Sequence, residues 1–148
     1  MTLTVNMTRG LTQSPLVIPT SGQGLYDISA EVERIVAGSR ITTGLCNVFI
    51  QHTSCSLIIQ ENACPRARKD LEAWMARLAP ENDPSYTHVL EGPDDMPAHL
   101  RSSVTRTSEQ IPIIDGRLGL GTWQGLYLWE HRRDPQQRRL VVTIIGTD

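Results

Sequence analysis

The stretch Leu45-Cys46-Asn47-Val48-Phe49-Ile50-Gln51-His52-Thr53-Ser54 decides the fold class. Its side chains alternate with period two: Cys46, Val48, Ile50 and His52 share one face, Leu45, Asn47, Phe49 and Gln51 the other. That pattern predicts a strand, opened by Gly44, whose apolar row ends on an imidazole. Leu57-Ile58-Ile59 extends the strand or resumes it after a kink at Thr53-Ser54-Cys55-Ser56.

Upstream, Leu16-Val17-Ile18 between Pro15 and Pro19 reads as a short strand near a sheet edge, because proline cannot donate to a ladder. A helix follows, with Asp27 as N-cap, Ile28, Val32, Ile35 and Val36 at helical spacing, and Gly38 in its C-terminal turn. Downstream, a second helix is expected from near Asn62, with Pro65 in its first turn and a buried stripe of Ala67, Leu71, Trp74, Met75 and Leu78. Asp94 or Asp95 caps a shorter third helix that carries His99 in its first or second turn. Strands at 110–114, 122–130 and 140–145 close the chain. Three helices without regular βαβ alternation indicate an α+β fold: a largely antiparallel β-sandwich or sheet with the helices packed to one side. Neither repeat nor linker divides residues 1–148, so one domain is expected.

Composition narrows the function classes. The 148 residues are 39% hydrophobic and 20% charged, with a formal charge of −2, the profile of an ordinary globule rather than a collagen-like or disordered chain. A net-acidic chain lacks the broad basic footprint of a nucleic-acid binder. No stretch approaches the ~20 apolar residues that span a bilayer, so no membrane association is expected. The segment Met1-Thr2-Leu3-Thr4-Val5-Asn6 has no basic start or long apolar run and does not read as a leader. Cys46, Cys55 and Cys64 form no paired framework, which points to reduced thiols in the cytoplasm.

Four histidines carry the chemistry: His52, His88, His99 and His131. None are spaced i, i+4 as in a helical zinc motif. Their contexts say more, since His88 and His99 flank Glu91-Gly92-Pro93-Asp94-Asp95, a turn with three carboxylates. Three neutral imidazoles from separate elements can hold zinc with an open fourth position for water or a substrate oxygen. Independent core or surface histidines explain the same residues. Arg101 and nearby arginines, with Ser102 and Ser103, form a candidate set for an anion, or else a solvated helix face. Trp123 can stack on a heteroaromatic ring, with Gln124 reading its polar edge, or can pack in the core. His52 and Cys55 are three apart, on opposite faces of a regular strand, so the thiol reads as a small apolar side chain rather than a nucleophile.

Several longer motifs occur in order: Gln51-His52-Thr53-Ser54-Cys55-Ser56-Leu57, Glu61-Asn62, Glu91-Gly92-Pro93-Asp94-Asp95-Met96-Pro97-Ala98-His99, and Leu120-Gly121-Thr122-Trp123-Gln124-Gly125. Together they strongly resemble the YjbQ (UPF0047) family, described as secondary thiamine-phosphate synthases. The resemblance implies an antiparallel β-sandwich, a homotrimer with a polar pocket near subunit boundaries, and metal-binding histidines. On that basis His52, His88 and His99 are expected as ligands of a divalent ion, zinc first, with magnesium an option for a diphosphate substrate. Asp95, Glu61, Asp70 and Gln124 become candidate catalytic residues, and Trp123, Arg101, Ser102, Ser103 and Glu130 candidate contacts to a small phosphorylated molecule. The implied reaction joins a pyrimidine diphosphate to a thiazole phosphate; metal-assisted hydrolysis of a phosphorylated substrate and a non-enzymatic metal-binding trimer are the alternatives. Two positions depart from the family pattern. Cys55 stands where alanine is frequent, and Cys64 where an aspartate often follows Glu-Asn-x.

Overall fold

The computed structural model describes residues 5–148; residues 1–4, part of the segment read as lacking a leader, lie outside them. Nine strands form two antiparallel sheets among the described residues. Strands β1 (Asn6–Thr8), β2 (Leu11–Thr20), β9 (Gln136–Thr147), β4 (Thr43–Ile50), β6 (Ser108–Ile114) and β7 (Arg117–Leu118) make the larger sheet in that order. Strands β3 (Gly24–Asp27), β8 (Gln124–Glu130) and β5 (Cys55–Glu61) make the smaller. Helices α1 (Ser29–Ser39), α2 (Pro65–Leu78) and α3 (Asp95–Ser103) complete the chain.

The alternation in β4 holds: Cys46, Val48 and Ile50 are buried, while Leu45 and Phe49 face outward. Close packing of β4 on β9 depends on two glycines in register. A Cβ on Gly44 would lie 2.1 Å from the Ile145 carbonyl oxygen, and one on Gly146 2.1 Å from that of Thr43. β2 is ten residues long rather than three, because it pairs with β9 from Leu11↔Ile145 to Thr20↔Gln136. β1 covers only Leu11, Thr12 and Gln13 of its other side, which leaves Pro15 and Pro19 on an open edge.

The main core lies between the sheets and is closed by α1. It joins Val48, Ile50, Leu140 and Val142 of the large sheet to Leu57, Leu126 and Leu128 of the small one and Val32 and Val36 of α1. Each such side chain contributes about 1.5–3 kcal/mol by leaving water. On the far side of the small sheet, Leu25, Tyr127 and Trp129 pack against Met75 of α2. β8 is therefore covered on both faces.

Two helix expectations need correction. The residue before α1 is Ile28, so Asp27 sits one position early; its Oδ1 still accepts the Ser29 N–H at 2.9 Å. Gly38 does lie in the last turn of α1, and the left-handed residue that follows the helix is Arg40, at φ 60°. In α2 only Met75 is fully buried; Trp74 and Leu78 are about half exposed, because a three-stranded sheet is too narrow to cover the whole predicted stripe.

Candidate metal centre

The end of β8 is built from Glu130-His131-Arg132-Arg133, and each residue is anchored differently. Glu130 is fully buried, and its carboxylate accepts five hydrogen bonds. They come from Thr20 Oγ1 (2.6 Å), Arg138 Nε (2.7 Å), Arg138 Nη2, and the backbone N–H groups of His131 and Arg132. A buried carboxylate this fully satisfied fixes the backbone that leads into Arg132. His131, also buried, shares a 2.9 Å hydrogen bond with Ser56 Oγ. Burial, with the nearby charges of Arg101 and Arg138, holds its pKa down to about 3, so the ring is neutral.

Arg132 then reaches across to the turn before α3. Its Nε donates to Asp94 Oδ2 at 2.9 Å, Nη1 to Asp95 Oδ1, and Nη2 to the Glu91 carbonyl at 2.9 Å. With Oδ1 of Asp95 occupied, Oδ2 turns to two imidazoles: His88 Nε2 lies 2.7 Å away and His99 Nε2 3.2 Å. Glu91 Oε2 is 3.2 Å from His88 Nε2. One ligand atom from each of His88, Glu91, Asp95 and His99 lies within 4.8 Å of the others. Burial raises the pKa of Asp95; hydrogen bonds with Glu91 and His88, and the charges of His99 and Arg132, outweigh it and hold the carboxyl below its ordinary range.

These residues fit a divalent ion by their chemistry and by one orienting contact. Imidazole and carboxylate are a donor set that zinc accepts. His99 Nδ1 lies 3.0 Å from the Thr53 carbonyl oxygen and donates to it, so in the neutral ring the lone pair belongs to Nε2 and is directed into the cluster. The Asp95–His99 pair is spaced i, i+4 on α3, and that spacing was the available sequence signal. A search for paired histidines at that interval passes over it, because one partner is a carboxylate, and Glu91 reads in sequence only as part of the turn.

His52 does not join them. Its Nε2 accepts the Arg139 N–H at 2.8 Å, and Arg138 Nη1 approaches Nδ1 at 3.4 Å. Burial and the Arg138 charge lower its pKa, so the ring is neutral and has a single acceptor nitrogen, which the Arg139 N–H takes. His52 is thus a strand-to-strand fastener between the end of β4 and β9, not a third ligand in this chain.

Other candidates also disperse. Ser102 Oγ donates to the Cys55 carbonyl at 3.2 Å and Ser103 Oγ to that of Leu100 at 2.6 Å, so neither hydroxyl is offered to an anion. Arg101 is buried, with Nη2 on the Ala79 carbonyl. Glu130 borders the cavity beside α2, but its carboxylate is wholly taken up by Thr20, Arg138 and the backbone N–H groups of His131 and Arg132 and is not offered to a substrate. Cys55 is buried, and burial pushes its thiol up to about 12, as an inert packing residue requires. All three cysteines are free.

Glu61, Asn62, Trp123 and Gln124 gather at the other end of the small sheet. Cys55 pairs with Glu130 and Glu61 with Gln124, so six register steps separate the two ends, about 20 Å at strand rise. There Asn62 N–H meets the Trp123 carbonyl at 3.0 Å, Gln124 Oε1 accepts the Gly121 N–H at 2.8 Å, and Trp123 is 64% exposed rather than core. Glu61 Oε2 accepts the Cys64 N–H at 3.0 Å, a capping contact at the start of α2. Asp70 is exposed on α2, away from both groups of residues in sequence and register. Cys64 is itself the N-cap and makes no side-chain cap, so an aspartate at this position would supply one.

Residues 15–147 match the family model described as UPF0047 protein YjbQ-like. The chain belongs to the YjbQ-like UPF0047 family. It is 54% identical to the UPF0047 protein sll1880 of Synechocystis over 90% of this chain and 91% of the relative. It is 38% identical to the UPF0047 protein YjbQ of Escherichia coli O157:H7, over 90% and 97%. Among solved structures, a yjbq/upf0047 family protein of Clostridium acetobutylicum superposes with a TM-score of 0.82 at 35% identity, covering 88% of this chain and 98% of that one. A YbjQ-like protein of unknown function from Sulfolobus solfataricus gives 0.81 at 26%, covering 92% and 99%. The YjbQ-like fold expected from the motifs is thus the observed one. Among the described residues, no helix is long and apolar enough to cross a membrane.

Proposed function

We propose that the chain is a divalent-metal-dependent enzyme acting on a small phosphorylated molecule, with thiamine-phosphate synthesis as a secondary activity. One observation carries the metal-dependent part: His88, Glu91, Asp95 and His99 converge, with the Thr53 carbonyl orienting one imidazole. Nε2 of His88 and of His99 and Oδ2 of Asp95 would hold the ion, zinc by donor type. When bound, it offsets charge on a leaving diphosphate, whose departure accompanies formation of the C–N bond between pyrimidine and thiazole.

The chain's own groups do the rest. Arg132 holds Asp95 and, through the Glu91 carbonyl, the turn that carries Glu91. A cavity of about 380 Å³ opens beside His88, walled by Tyr86, Val89, Pro93 and Met96, with room to seat an aromatic heterocycle. Glu91 stands at the exposed rim, where its carboxylate can take a proton from water; that favours the second reading, hydrolysis of a phosphorylated substrate.

The homotrimer belongs to the same proposal. The outer face of the large sheet sets Leu11, Ile145 and Leu45 in one cross-strand row, with Phe49 and Val17 nearby. All five are 41–55% exposed, an apolar face that a second copy would cover. Assembly in the cytoplasm fits three unpaired thiols. The test combines purified protein with both substrates, with and without chelator, beside His99→Ala. Metal-dependent thiamine phosphate supports the assignment. Phosphate release without it moves the protein to the hydrolase reading, and no product in either assay refutes enzymatic function with these substrates.

A further inference from the structure

The cavity of about 380 Å³ beside His88 has an uneven lining. Tyr86, Val89, Pro93 and Met96 make its apolar part, Gly92 adds backbone, and the polar side chains are those of Asn82, Asp83 and His88. No lysine or arginine borders it. The arginines that reach this turn are paired elsewhere, Arg132 with Asp94 and Asp95 and Arg133 with Glu81. The Tyr86 hydroxyl donates to the Pro80 carbonyl at 2.8 Å, so its hydrogen is not offered to an anion. His88 turns Nε2 to Asp95 and Glu91, and any charge on the ring is met there.

Asp83 is differently placed. Its Oδ1 accepts the hydroxyl and the N–H of Ser85, at 2.7 and 2.9 Å, while Oδ2 has no partner among the described residues. Those two bonds, the hydroxyl first, hold the carboxyl below its ordinary range, so it is ionised at neutral pH. Exposed Asn82 lines the same space and adds amide oxygens as acceptors. A phosphate or carboxylate entering here meets a fixed negative charge and no cation. A primary ammonium, with three N–H donors and no acceptor, is the complementary group. We propose that this cavity selects a substrate whose aromatic ring carries a primary ammonium on a short arm, the ammonium on Asp83 and the ring against Tyr86 and Met96. The proposal rests on the reading of this cavity as the seat of the substrate's ring. It names a class for the principal substrate, beside which thiamine-phosphate synthesis stands secondary.

The test titrates chelator-stripped full-length protein with benzylamine, benzyltrimethylammonium, benzyl alcohol and benzoate, followed by ligand-detected NMR and by crystal soaks with benzylamine. A parallel zinc titration of the same protein reads the metal proposal separately. Benzylamine is expected to bind in the millimolar range of a small fragment. Benzyl alcohol should bind about fivefold more weakly, the scale of one exposed ion pair. Benzyltrimethylammonium should also be weaker, having no N–H to donate, and benzoate should not bind. Asp83→Asn keeps an oxygen for Ser85 and removes the charge, and should bring benzylamine down to the level of benzyl alcohol. Val89→Trp narrows the cavity from its exposed side and should weaken every ligand together. No saturable benzylamine binding, any of the other three ligands binding as tightly, a preference unchanged in Asp83→Asn, binding indifferent to Val89→Trp, or ring density outside the cavity would each overturn the proposal. Ring binding without zinc binding overturns the metal reading alone, and zinc binding without ring binding overturns this one alone.

Discussion

The two ends of the three-stranded sheet use the same strands for opposite purposes. At the Cys55–Glu130 end, charged residues are buried and hydrogen-bonded into a continuous frame: Glu130 to Arg138, Arg132 to Asp94 and Asp95, and Asp95 to the imidazoles. At the Glu61–Gln124 end, polar side chains close turns and cap α2, and the indole of Trp123 stands in solvent. Motifs spaced alike along the chain therefore carry unequal weight: a buried charge needs partners in fixed places, whereas an exposed one does not.

The contrast breaks hardest at Arg138. Arg138→Met strands the Glu130 carboxylate in the interior and should cost about 3–5 kcal/mol in urea denaturation. An unchanged midpoint would show that the hub does not hold this end together. Next comes Arg132→Gln, which releases Asp95. Zinc affinity by competition titration should fall about 10–100-fold, the usual scale for a group that orients a ligand.

The hub also predicts a dependence on pH. His131 is held neutral with a pKa of about 3 in the folded chain and returns to 6.5 when unfolded. Below pH 6.5 the unfolded state binds the extra proton, so stability falls as pH drops, by about 1.4 kcal/mol per unit down to the folded pKa. Denaturation curves of His131→Gln should lack that slope; parallel curves for variant and wild type would contradict the assignment.

Smaller effects belong to the other end. Cys64→Asp restores a side-chain cap on α2 and should add about 1 kcal/mol to stability, with the histidine cluster unaffected. Trp123→Ala should change monomer stability by less than about 0.5 kcal/mol, since the ring packs on little. A large loss of sedimentation mass in that variant would place Trp123 at a subunit contact instead.

Much of the fold was legible because period-two and helical patterns are local. β4, α2 with Pro65 at its first position, and α3 behind Asp94 lie close to where the residues put them. The length of β2 was not legible, because it is set by its partner β9 rather than by its own composition. Of the candidate site, His88, His99 and Asp95 were named, and the family motif helped name them. The fate of His52 was hidden: its ring is claimed by a backbone N–H eighty-seven residues away, which no local spacing records. Arg132 was missed for a similar reason. In sequence it is one of several arginines at a turn, and only the folded chain sets it against Asp94 and Asp95.

Anomalous diffraction at the zinc edge, from chelator-stripped protein re-supplied with one equivalent of zinc, tests the central claim most directly. The geometry predicts one peak per chain, roughly 2.0–2.1 Å from Nε2 of both His88 and His99 and bounded by Asp95 Oδ2. A peak on His52, or none within the His88–Asp95–His99 cluster, would contradict it.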